Sequence, residues 1–150
     1  MSYIDDLAYD EEEPVVVDRA HVERRVKDWL QRLTSLYGEI SVWADRNGWS
    51  HAEGAPVAMK EELMRRSGLP PREQASLVLT SPGGERVWIK PKALWVIGAN
   101  GRIDVHSLKA SVLLVDTARP FEPASWVMHY LPSKPEGGRP FAPAMLANLV

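Results

Sequence analysis

Arg86-Val-Trp-Ile-Lys-Pro-Lys-Ala-Leu-Trp-Val-Ile-Gly-Ala-Asn-Gly-Arg-Ile-Asp-Val-His106 is the stretch that decides the fold. It is rich in β-branched and aromatic residues, which suit a pleated, half-buried surface. Within it, Asn100-Gly101 is the strongest short hairpin signal, since both residues tolerate the positive φ of a type I′ turn. The stretch predicts strands at 86–90, 93–98 and 102–106. A two-residue loop at Asn100-Gly101 sets Ala99 against Arg102, Ile97 against Asp104 and Trp95 against His106. Side chains alternate between the two faces of a sheet. Leu94, Val96, Ile103 and Val105 then share an apolar face that reads as core. The other face carries Trp95, Ile97, Arg102, Asp104 and His106. A tight turn at Pro91-Lys92 would add Arg86, Trp88 and Lys90 to it, although proline fits the first central position of a type I′ turn poorly.

Working outward, further strands are expected at 76–80, 111–115 and 125–131, with a turn at Ser81-Pro82-Gly83-Gly84. Connections are short and no long helix intervenes, which argues for an antiparallel meander over βαβ units. A short helix is expected at 59–66, closed by Gly68 and Pro70-Pro71. Residues 48–57 read as a loop, and 142–150 as a helix that accepts Pro143 in its first turn.

Upstream lies the longest periodic segment. Asp18 is placed as an N-cap. Val22, Val26, Trp29, Leu33, Leu36, Ile40 and Trp43 then recur in steps of four and three, and Asn47-Gly48 supplies a stop. The stripe suits a cover for the sheet, and two tryptophans are bulky for a coiled-coil seam. Its other use is the seam of a homodimer. The fold class that follows is α+β: an antiparallel β-meander of about five or six strands packed by a long N-terminal amphipathic helix.

Composition sets the outer bounds. The chain has 150 residues, 45% hydrophobic and 25% charged, as expected of one globular domain. Asp5, Asp6, Asp10, Glu11, Glu12 and Glu13 make residues 1–13 an acidic, disordered leader, ahead of a single α+β domain at 14–150. There is no cysteine, which excludes disulfides, thiolate metal sites and cysteine nucleophiles. The acidic start is unlike a secretory signal, and the apolar run at 93–97 is too short to span a bilayer. The expectation is a cytoplasmic protein with no membrane contact.

No phosphate-loop, nucleophile-elbow or zincin motif occurs, and no cofactor is indicated. The candidate binding set is Arg86, Trp88, Trp95, Arg102, Asp104 and His106. Aromatic and cationic groups on an open sheet can anchor a protein partner or stack on bases. Asp104 and His106, at i and i+2, could form a metal triad with His129 or Asp116 and serve a metal-dependent hydrolase. So short a pair more often marks a solvated ion pair. His51 and Glu53 share a glycine-containing loop, a common place for function. Arg24, Arg25, Lys27 and Arg32 of the helix could meet phosphates, but Glu23 and Asp28 dilute them. The expected function is a small non-catalytic interaction or regulatory protein, of an antitoxin-like or immunity-like kind. It would present the mixed sheet face to a macromolecular partner, a protein first and a nucleic acid second.

Overall fold

The computed structural model describes residues 18–132 and 137–150. The acidic leader lies outside them. Helix α1 spans Arg19–Arg46. Its first turn is capped by Asp18, whose Oδ1 accepts from the Ala20 and His21 N–H groups at 3.0 and 3.3 Å. The helix stops at Asn47, and Gly48 follows at φ +74°.

The strands are β1 (Ser50–Glu53), β2 (Val57–Met59), β3 (Arg72–Gln74), β4 (Leu77–Thr80), β5 (Arg86–Val96), β6 (Ala99–His106), β7 (Ser111–Asp116), β8 (Trp126–Leu131) and β9 (Arg139–Pro140). A seven-stranded antiparallel sheet runs β1-β4-β5-β6-β7-β8-β9, with β2 and β3 forming a separate ribbon. The fold is α+β, with somewhat more strands than the sequence suggests. The loop expected at 48–57 holds β1 and the start of β2. Met59 belongs to β2, so the helix expected at 59–66 shortens to α2 (Glu62–Arg66). The helix expected at 142–150 is a 3-10 helix, Pro143–Leu149.

One side of the sheet is the core. Leu77, Leu79, Val87, Ile89, Ile103, Val105, Val112, Leu114 and Met128 are buried there with Val22, Val26, Trp29, Leu33, Leu36 and Ile40 of α1. Trp43 packs half-buried at the margin of this cluster. The α1 stripe therefore serves the chain's own core. Leu63 and Met64 of α2 and Leu146 and Leu149 of the 3-10 helix join the same cluster. Both elements contact α1. Tyr37 donates its hydroxyl to the Ala75 carbonyl at 2.9 Å, and burial pushes its phenol pKa up.

The central hairpin departs from the sequence reading. Its turn is Ile97-Gly98, with Val96 opposite Ala99. Gly98 takes φ +83° at the second central position, as a type II turn requires. Asn100 and Gly101 lie inside β6. Asn100 accepts at Oδ1 from the buried Arg25 guanidinium at 3.1 Å. Gly101, at φ +108°, sits under the Trp29 ring, where a Cβ would lie 2.1 Å from Cζ3. Packing against α1 thus outweighs the local turn preference of Asn-Gly.

Pro91-Lys92 is likewise no turn. β5 is continuous, and the register slips between Pro91 and Ala93 as a β-bulge. The new register sets Trp88 opposite His106, Lys90 opposite Asp104 and Trp95 opposite Asn100. Beyond the bulge, β5 is steadied by Glu61. Its carboxylate accepts from the Leu94 N–H at 3.0 Å and the Trp95 N–H at 2.9 Å. Burial raises the Glu61 pKa, and these two hydrogen bonds and the Arg25 charge oppose the rise.

Candidate functional site

The sheet face turned away from α1 carries the candidate site. Strand pairing sets Val78, Trp88, His106, Ser111 and Leu131 in one row across β4 to β8. The next row holds Lys90, Asp104, Leu113 and His129. A third holds Ala93, Arg102, Val115 and Val127. Within each row, side chains directly opposite one another share a face. The core cluster includes none of these side chains.

Two contacts organise the face. The Trp88 and His106 rings stack with centroids 5.1 Å apart and planes 14° apart. Arg102 Nε donates to Asp104 Oδ1 at 2.8 Å. Arg86 is exposed at the start of β5, opposite Thr80. Lys90 stands beside Asp104 in the register and is exposed. The result is a mixed surface: an aromatic pair, an ion pair, two further cations and a band of valine and leucine.

Of the residues singled out in the sequence, Arg86, Trp88, Arg102, Asp104 and His106 come together here. Trp95 does not. It packs against the core, with the Arg25 guanidinium 5.4 Å from its ring centroid. Its partner Asn100 is itself buried, because the positive φ of Gly101 breaks the alternation of β6 between Asn100 and Arg102. Ile97 stands at the turn, largely exposed. Val78, Leu113, Val115 and Val127 complete the face. The sequence reading missed these four, and their alternation with the buried residues of β4, β7 and β8 is the signal that would have found them.

The metal triad does not assemble. Asp116 is fully buried and bonded to Arg32 of α1 at 2.6 Å. His129 shares a row with Asp104, but β7 lies between them. Among the described residues no three histidine or carboxylate side chains could hold a metal ion. A cleft of about 610 Å³ lies elsewhere, between α1 and the β7–β8 connection beside Arg32, Phe121 and Trp126. Its Arg32 is committed to Asp28 and Asp116, so it braces the fold. Among the described residues no helix is long and apolar enough to cross a membrane.

Comparison with protein-family models, curated proteins and solved structures found no match. The face and its chemistry are therefore the basis for a functional reading.

Proposed function

We propose that this chain is a non-catalytic binding protein that presents the outer face of its sheet to a protein partner. The observation that carries this is the one-sided packing of the sheet. Helices α1 and α2 add side chains to the core, while the Trp88–His106 stack and Val78, Leu113, Val115 and Val127 stand in rows that the core does not include. Aromatic residues amid apolar and charged neighbours are the usual energetic centre of protein interfaces. A cytoplasmic setting belongs to the same proposal and rests on the cysteine-free composition.

A protein partner suits the face better than a nucleic acid. His106 already occupies one side of the Trp88 ring, where a base would stack. Asp104 offsets the Arg102 charge that a phosphate would need.

The test is capture from a cell lysate on immobilised wild-type protein and on Trp88→Ser and Leu113→Ser variants, with and without nuclease. A protein retained by wild type after nuclease, and lost from both variants, supports the reading. A ligand that disappears with nuclease would replace it with nucleic-acid binding. Equal retention by wild type and both variants would place the binding surface elsewhere and overturn it.

A further inference from the structure

The free edge of the sheet at β1 supports a separate inference. β1 pairs with β4 on one side, and no described strand pairs with it on the other. All four of its residues, Ser50–Glu53, are exposed. We propose that two copies of this chain pair antiparallel through β1, about a twofold axis at Ala52.

Backbone parity sets the register. The Gly54 N–H donates to the Ser76 carbonyl at 3.1 Å, one step beyond the Glu53–Leu77 pair. In an antiparallel ladder, hydrogen-bonded and non-hydrogen-bonded pairs alternate. Ser50 and Ala52 therefore turn their N–H and C=O toward β4, and His51 and Glu53 turn theirs outward. An added strand bonds only where outward groups meet outward groups. Centring on Ala52 sets His51 against Glu53 of the second copy, and Glu53 against its His51. All outward groups are then paired, and each imidazole faces a carboxylate. A shift of one residue in the axis would set Glu53 against Glu53, two like charges directly opposite, or set His51 against His51 and leave each Glu53 without a histidine.

The surroundings have room for this strand. His51 and Glu53 are paired with Leu79 and Leu77, and so project to the α1 side. There His51 Nε2 lies 3.1 Å from Asp45 Oδ1 of α1. Beside them runs a groove of about 270 Å³, lined by Thr34, Gly38 and Ser41 of α1 among others. The incoming His51 and Glu53 side chains enter it, and nothing lies within 4 Å of the place where a Gly38 side chain would start. The opposite edge, β9, is two residues long and holds Pro140, which cannot donate to a new strand. Pairing at β1 therefore closes as a dimer and does not propagate into a filament.

The chain has no cysteine, so Ala52→Cys introduces a single thiol. Residues at a non-hydrogen-bonded antiparallel position have Cα atoms about 4.5 Å apart, within disulfide reach. Under mild oxidation, Ala52→Cys should cross-link at least about tenfold faster than Ala147→Cys, an exposed control, because pairing holds the two thiols together. Equal rates would mean random collision and overturn the proposal. In sedimentation velocity, wild-type protein should pass from monomer to dimer between about 10 μM and about 1 mM, the range for a small interface. A monomer throughout that range would also overturn it, including the case in which β1 receives a strand from another protein. Glu53→Pro removes one outward N–H and leaves the β4 ladder whole. It should keep the wild-type circular dichroism and melting temperature and stay monomeric. A Glu53→Pro protein that still dimerises would show that the association lies elsewhere.

Discussion

Arg32 of α1 donates to Asp116 of β7 at 2.6 Å, with both side chains withdrawn from solvent. Asp116 Oδ1 also accepts from the Ala118 and Ser125 N–H groups, at 3.0 and 2.8 Å. Arg32 bonds Asp28 at 2.6 Å and the Glu122 carbonyl. One buried ion pair thus joins the helix to the β7–β8 connection. Its formation gains little net energy, since both ions are desolvated, but removing one partner strands the other. Arg32→Met should cost about 3–5 kcal/mol in urea denaturation. Asp116→Asn should cost less than Asp116→Ala, because the amide oxygen still accepts the two backbone N–H groups. A loss below about 1 kcal/mol for Arg32→Met would contradict this role.

Gly101 and Trp29 form a second dependent pair. A methyl group at Gly101 would collide with the buried indole and occupy a backbone conformation that suits glycine. Gly101→Ala should destabilise by about 2–5 kcal/mol, combining overpacking with backbone strain. In a Trp29→Ala background the collision is gone, and only the strain remains. The two substitutions should therefore couple in a double-mutant cycle. Strict additivity would show that the ring and the glycine do not constrain each other.

Glu61 makes a pH prediction whose sign differs from that of most carboxylates. Burial raises its folded pKa above the ordinary value of 4.5. The folded state then holds the proton more tightly than the unfolded state, so Glu61 contributes stability at low pH that is lost as pH rises through the folded pKa. Glu61→Gln keeps an acceptor for the Leu94 and Trp95 N–H groups and removes the charge. Between about pH 4 and pH 7, the stability difference should shift in favour of the Gln variant. A parallel pair of stability curves, measured by thermal melts across that range, would refute the raised pKa.

Trp88 and Trp29 should respond in opposite ways. Trp29 is fully buried, and Trp29→Ala should cost about 3–5 kcal/mol of stability. Trp88 stands outside the core, so Trp88→Ala should cost no more than about 1.5 kcal/mol. If the outer face is the interface, Trp88→Ala should weaken binding of the captured partner by roughly thirtyfold or more, as expected of a hot spot. Denaturation curves and titration of that partner separate the two effects. A Trp88 variant as unstable as the Trp29 variant would place Trp88 in the core.

Local features of the chain determined α1 and the β character after Pro71. The Asp18 cap, the stripe of apolar residues and the Asn47-Gly48 stop each act within a few residues, so their meaning survives without a tertiary context. The apolar set Leu94, Ile103 and Val105 was legible for the same reason, since alternation is a property of the strand itself. Most of the candidate face was legible too, but through the wrong pairing: His106 meets Trp88, not Trp95. Tertiary structure alone placed the turn at Ile97-Gly98, because Arg25 and Trp29 claim Asn100 and Gly101 from 75 and 72 residues away in the chain. It also made a strand of Ser50–Glu53, a segment without apolar periodicity that is extended because β4 offers it an edge. Register and edges depend on which distant surfaces meet, and that information is spread over the whole chain, where no local pattern can display it.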